Sequence, residues 1–263
     1  MPPGDPLDLR LIEPAAVPMT LARIHRELSP GDRLRAWLPC RTRPGELSTL
    51  QRSILWPFAP RAALLRDVFE GAGLEFDRRR TDRPVLLTRC WTLPDTVGPS
   101  MRLLICGLNP SPAAADRGVG FARPGNRFWP AAVAAGLVTV DRDPNHALTQ
   151  HGIGMTDAVK RTTRRADELS VAEYRAGFAR IERLARWLEP TTICFVGLAG
   201  WRAAKRRNAV SGWQPTPLGG RPVYLMPSTS GLNATSSLGD LTTHLTRAAS
   251  RPPAAITDEA RDL

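Results

Sequence analysis

Three short apolar runs dominate the chain from residue 100 onward: MRLLIC (101–106), TICFVG (192–197) and PVYLMP (222–227). None alternates polar with apolar, and none is long enough for a helix. Such runs suit strands buried on both faces, which is the environment of a parallel sheet. Helical patterns separate them. RFWPAAVAAGL (127–137) reads as a helix. VAEYRAGFARIERLARWLEP (171–190) places Tyr174, Phe178, Ile181, Leu184 and Leu188 on one face. A helix through Ala203 follows the second run, and LGDLTTHLTRAA (238–249) follows the third. Strands alternating with helices predict an α/β fold of three layers, a central parallel sheet covered on both sides.

The first 95 residues are patterned differently. TLARIHREL (20–28) reads as a helix stopped by SPGD (29–32), and DRLRAWLPC (32–40) as a strand. PRAALLRDVFEGAG (60–73) is a helix with Pro at its start and Gly at its end. LEFDRRR (74–80) and RPVLLTRCWTL (83–93) form a closing pair of strands. This order, carried by ARIHRELSPGDRL and LLRDVFEGAGLEFD, resembles the C-terminal half of a class I methyltransferase. That resemblance implies a small, partial α/β domain over residues 1–95. The Gly-rich loop that would hold a methyl donor is missing, so methyl transfer is not expected, and the segment is read as a non-catalytic remnant packed on the second domain. PDTVGPS (94–100) reads as a linker, residues 100–249 as the second domain, and residues 250–263, with Pro252 and Pro253, as a disordered tail.

The net charge of +11 is uneven. Residues 1–99 carry 15 Arg and 12 acids, a net +3, and residues 100–263 carry 21 Lys+Arg and 13 acids, a net +8. A basic excess favours a polyanionic partner. The 34 Arg against two Lys, in a chain rich in Ala and Pro, equally fit a GC-rich genome. No stretch reaches the roughly 18 apolar residues of a membrane span, and the N-terminus lacks a secretory pattern. The reading is a soluble, cytoplasmic chain of bacterial type, associated with the nucleoid, acting as a monomer away from membranes. Cys40, Cys90, Cys106 and Cys194 are scattered, with no C-x-x-C pair; Cys106 and Cys194 read as small core residues.

GLNPSPAAADRGVGFARPGNRFW (107–129) carries the strongest chemical signal. The strand before it ends in a Pro-stiffened turn, which sets Asn109 at the carboxyl edge of the sheet, where open α/β folds hold ligands. Phe121 follows twelve residues later. A fixed amide near an aromatic ring suits a flat, hydrogen-bonding ring. The expectation is spatial: Asn109 and Phe121 converge on one cavity.

Four blocks, GLNPS with residues 121–129, GMTDAVKRTT (154–163), ICFVGLAGW (193–201) and MPSTSGLN (226–233), closely resemble the mismatch-specific uracil/thymine-DNA glycosylases of the uracil-DNA glycosylase superfamily. The resemblance implies a hydrolase of N-glycosyl bonds that flips a base out of double-stranded DNA and starts base excision repair, needing neither metal nor organic cofactor. Uracil opposite guanine is the first choice, with thymine or ethenocytosine as alternatives. A catalytically weak or inactive mismatch-binding module is the rival. By resemblance, Asn109 holds the attacking water, Phe121 stacks on the base, the backbone of Leu108 and Phe121 reads its edge, and Thr163 lies near it. Asp157 departs from better-known relatives, which carry Asn or Lys. A carboxylate there would stabilise a cationic sugar or accept a proton; a turn or N-cap aspartate is the alternative. Lys160 and Arg161, with Arg164 and Arg165 nearby, suit phosphates or a solvated face equally. Ser228, Gly231 and Asn233 allow close approach to the DNA backbone, and Leu232 sits where the family places an apolar wedge. Phe128 and Trp129 read as core, while Asn126 and Arg127 flank the loop, Arg127 within reach of a phosphate.

Overall fold

The computed structural model describes residues 6–38, 62–76 and 84–250. Cys40, residues 77–80 of the expected third strand and the tail beyond residue 250 lie outside the described residues. In chain order the strands are β1 (Leu7–Asp8), β2 (Arg33–Trp37), β3 (Leu74–Phe76), β4 (Val85–Arg89), β5 (Leu103–Gly107), β6 (Ile153–Asp157), β7 (Ile193–Val196), β8 (Gly212–Trp213) and β9 (Val223–Met226). The helices are α1 (Val17–Glu27), α2 (Ala62–Gly71), α3 (Pro112–Arg117), α4 (Phe128–Ala134), α5 (Pro144–His151), α6 (Val171–Leu188), α7 (Ala199–Ala204) and α8 (Leu238–Ala249).

The main sheet runs β6-β5-β7-β9-β8, parallel except for the short β8. All residues of β5, β6, β7 and β9 are buried, as the unalternating apolar runs of β5, β7 and β9 require. Side chains still alternate between two cores. Leu104, Cys106, Ile193, Phe195, Val223 and Leu225 pack with Tyr174, Phe178 and Ile181 of α6 and Trp201 of α7. Leu103, Ile105, Cys194, Val196, Tyr224 and Met226 pack on the other side with Phe128 and Trp129 of α4 and Leu241 and Leu245 of α8. The three-layer expectation holds. β5, first of these strands in the chain, is flanked by β6 and β7. Its carboxyl end is therefore a point where the winding reverses, the usual place for a ligand in open sheets.

Several elements differ from the sequence expectation. α4 ends at Ala134, because the chain turns through Gly136 at φ +65°. β6 carries no apolar run, since Gly154, Thr156 and Asp157 dilute it; pairing with β5 from Leu103↔Ile153 to Gly107↔Asp157 makes it a strand. α3 and α5 are short and rely on caps: Ser111 and Asp143 accept from main-chain N–H groups of their first turns.

The N-terminal unit forms a second sheet, β1-β2-β4-β3. α1 and α2 cover one face through Leu21, Leu64, Leu65, Val68 and Phe69, and Leu184 of α6 joins that same core. Arg183 of α6 pairs with Asp67 of α2 through two bonds of 2.5 and 2.9 Å. The segment from Pro94, expected as a linker, is buried from Thr92 to Gly98. Thr96 exchanges main-chain bonds of 2.9 and 2.8 Å with Met155 of β6. A true linker would be solvated; this one carries ladder bonds and a buried acid, Asp95, and it joins the two sheets. Among the described residues, no helix is long and apolar enough to cross a membrane.

Candidate active site

The turn after β5 aims Asn109 across the end of the sheet. Its Nδ2 donates to the main-chain oxygens of Pro110 (3.2 Å) and Arg161 (3.0 Å) and to Thr163 Oγ1 (2.7 Å). Carbonyl oxygens only accept, so the nitrogen end of the carboxamide must face them. Oδ1 then points the other way and accepts nothing among the described residues. Thr163 Oγ1 in turn donates to the Arg165 carbonyl (2.7 Å). Its lone pair is left for Asn109, and the amide is locked in one orientation. Thr163, expected near a base, is thus buried behind Asn109 as its anchor.

Leu108 serves the core with its side chain, which lies against Gly197 and Gly200, and its carbonyl receives the Val159 N–H at 2.9 Å. Only its backbone faces the turn that bears Asn109.

Phe121 sits at φ +58°, a region sparsely populated by residues with side chains. Holding it there costs about 1 kcal/mol or more, and such strain gathers at functional sites. Its ring stacks on Phe128 with centroids 4.3 Å apart, and its tip reaches Gly107. A Cβ on Gly107 would lie 3.5 Å from Phe121 Cζ and 2.3 Å from Asp157 Oδ1. Glycine is therefore required for ring and carboxyl to meet at the end of β5.

Asp157, the last residue of β6, is 6 % exposed. No donor reaches its carboxyl among the described residues. Burial pushes its pKa up to about 6, opposed by the positive charge of Lys160 and Arg180 and reinforced by Asp95. The cavity it shares with Phe121, Gly118, Gly120 and Met155 has a volume of about 20 Å³. That is room for a water, not for a nucleobase, and Asn109 is not in its wall. The sequence expectation of one open cavity between Asn109 and Phe121 is corrected here. The Phe121 ring itself occupies the space beside Gly107.

One of the expected phosphate contacts is also corrected. Lys160 is buried, its Nζ held at 2.8 Å by Asp95 Oδ1. Arg161 is exposed, but its guanidinium donates to both carboxylate oxygens of Glu173 (2.6 and 3.2 Å) and to the Glu168 carbonyl (2.9 Å). That pairing holds the Glu173 carboxyl down at about 2. Glu173 also caps the start of α6 through Ser170. What Arg161 brings to Asn109 is its main-chain oxygen.

Arg127, read as flanking the loop, clamps it. Its guanidinium donates to the carbonyls of Asn233 (2.6 Å), Ser230 (3.3 Å) and Ser236, and its N–H donates to the Thr229 carbonyl (2.9 Å). The 228–236 loop is thereby fastened to the start of α4. Ser228 and Gly231 lie exposed along it, and Asn233 Nδ2 closes it by donating to the Ser228 carbonyl (2.7 Å). At its tip Leu232 is 85 % exposed. A large apolar side chain held out on a braced loop gains no burial in this state.

Sequence reading missed Asp95 and Arg180. Arg180 lies three residues from Gly177 and four from Leu184, on the buried face of α6. A charge at such a position was the available signal. The sequence matches the Uracil DNA glycosylase superfamily over residues 94–249, a span that begins one residue before Asp95 and contains every candidate residue above. Members of that superfamily are N-glycosylases acting on DNA, and the chain belongs to the uracil DNA glycosylase superfamily.

Proposed function

We propose that this chain is a monofunctional, mismatch-directed DNA glycosylase that hydrolyses the N-glycosyl bond of uracil opposite guanine, with thymine or ethenocytosine as further substrates. The observation that carries the reading is the locked carboxamide of Asn109, whose free Oδ1 is presented at the carboxyl end of β5. That oxygen holds a water. As the N1–C1′ bond lengthens, the sugar takes on oxocarbenium character and the base departs as an anion. The water adds to C1′ and loses its proton. An amide is no base, so activation is modest and turnover slow. Asp157, at the same end of the sheet, supplies the negative charge that steadies the cationic sugar or receives the proton.

Access for a base requires the 118–126 loop to give way, since the cavity beside Phe121 admits only water as it stands. Phe121 then stacks on the extruded base with the ring face not covered by Phe128. Leu232 fills the hole in the duplex, and Ser228, Gly231 and Asn233 approach the phosphates. Flipping is least costly at a weak pair, which favours mismatches. The N-terminal unit is read as non-catalytic, a methyltransferase-like remnant that supports α6.

In single-turnover assays on a G·U duplex, Asn109→Ala should slow uracil release by about 100-fold or more while DNA binding persists; full activity would remove Asn109 from the mechanism. A wild-type chain that binds mismatches yet releases no base from uracil, thymine or ethenocytosine duplexes would establish the rival reading, a binding module. Asp157→Asn tests the carboxylate. With a pKa of about 6 the ionised form gains on raising the pH through 6, so wild-type rates should climb there and the variant's should stay flat. Stability moves oppositely. The pKa is raised on folding, so the carboxyl's contribution is complete below its ordinary 3.8 and lost as pH rises through 6.

A further inference from the structure

We propose that Asp95, Lys160, Arg180 and Asp157 form one charge-balanced buried unit in which Lys160 keeps Asp157 ionised, with the N-terminal unit as its seal. The inference rests on the reading of Asp157 as a working carboxylate. Its starting point is a count of charge. Asp95 lies at the centre: its Oδ1 accepts from Lys160 Nζ (2.8 Å) and Thr156 Oγ1 (2.7 Å), and its Oδ2 from Arg180 Nη1 (2.7 Å). Lys160, Arg180 and Asp95 side chains are 6, 2 and 4 % exposed. Two cations thus face one anion out of reach of water. A surplus buried charge is costly, and the other acid at this spot is Asp157. Ionised, it brings the unit to neutrality.

The geometry treats the two acids differently. Arg180 Nη2 donates to the main-chain oxygen of Asp157 (2.6 Å) and to Thr156 Oγ1 (2.8 Å). The backbone of Asp157 is thereby pinned while its carboxyl stays without a donor, turned toward Gly107 and Phe121. Asp95 is structural, with both its oxygens bonded; Asp157 is the member left free to act. Burial raises the Asp157 pKa, Asp95 adds to the rise, and Lys160 is the largest opposing influence, followed by Arg180. Other groups in the neighbourhood do not supply the missing charge. Burial drives the Cys106 thiol well up and the His25 imidazole down to about 4, so both are neutral near pH 7. Asp67 and Glu70 of α2 also act on Arg180, and Asp67 has its own cation, Arg183.

The seal is the end of α2. The Asp95 N–H donates to the Gly71 carbonyl at 2.7 Å. A Cβ on Gly71 would lie 2.3 Å from Asp95 Oδ2 and 2.9 Å from Arg180 Nη1. Nothing larger than glycine lets the helix close over the cluster. The N-terminal unit thus has a physical task at the site without touching DNA: it excludes water, which makes the charges of Lys160 and Asp157 feel one another. The lysine of the GMTDAVKRTT block is a positioning residue, acting through the ionisation of Asp157.

The test pairs two readouts across pH 5 to 9, single-turnover uracil release and the carboxyl 13C resonance of Asp157 in aspartate-labelled protein. Lys160→Met leaves Asp95 paired with Arg180 and removes the balancing cation. Its midpoint should move up by about one unit, and uracil release at pH 6.5 should fall several-fold and recover as the pH is raised. Lys160→Arg should restore the wild-type midpoint, which a purely structural lysine would not predict. Lys160→Gln keeps a donor to Asp95 without the charge, and it decides the matter if the Met variant does not fold; its midpoint should rise as well. An unshifted Asp157 resonance in folded Met or Gln variants would overturn the proposal. The two readings fail separately: absence of base release by the wild type sinks the glycosylase assignment, while the resonance still reports the charge coupling.

Discussion

The two sheets bury themselves in opposite ways. Strands β5, β6, β7 and β9 are covered on both faces, so sequence polarity is confined to their ends. Strand β4 alternates, with Val85 and Leu87 inside and Leu86 41 % exposed, and among the described residues its sheet has helices on one face only. The difference bears on where function can sit. In the two-sided sheet the strand ends are where polar groups can be displayed, and Asn109 and Asp157 occupy the carboxyl ends of β5 and β6. Among the described residues the second sheet contributes to the site through the end of α2.

That contrast can be broken at its strong end first. Phe195→Ala removes a ring 1 % exposed and packed on Phe178 and Trp201. It should cost about 3–5 kcal/mol in urea unfolding; a loss below about 1 kcal/mol would mean that the parallel sheet is not the tightly packed element described. Next in size, Thr163→Val keeps the shape of the side chain but removes the hydroxyl that anchors Asn109. Release of uracil should slow about tenfold, worth about 1.4 kcal/mol in the barrier, with DNA affinity kept. Unchanged kinetics would show that the two main-chain oxygens suffice to orient the amide. The smallest effect belongs to the one-sided sheet: Leu86→Ala should change stability by no more than about 0.5 kcal/mol. A larger loss would place a partner on the face taken here as solvated.

Much of the fold was legible because burial on two faces writes itself as apolar runs. β5, β7, β9, α6 and α8 all lie where those runs and the helical period put them. β6 was not legible as a strand: Ile153-Gly-Met-Thr-Asp has too few apolar residues, and its pairing with β5 is a long-range event. The segment from Pro94 to Ser100 misled for a related reason. Pro and Gly signal a loop, yet Thr96 forms a bridge to Met155 and Asp95 is wholly enclosed. Within the site, Asn109 and Phe121 stood out through the turn and its spacing. Lys160, Arg161 and Arg127 did not, because a basic residue reads alike in sequence whether it meets a phosphate, a carboxylate or a row of carbonyls.

The local order of residues determined the alternation of strand and helix, the position of Asn109 at a strand end and the blocks that mark the superfamily, since period and turn chemistry are short-range properties. Tertiary structure alone decided which charges are paired. It buried Lys160 against Asp95, turned Arg127 into a loop clamp that holds Leu232 in solvent, and left the Asp157 carboxyl without a donor beside Phe121. Those outcomes depend on groups tens of residues apart competing for the same few oxygens in a place that water does not reach, and no reading of neighbours along the chain carries that competition.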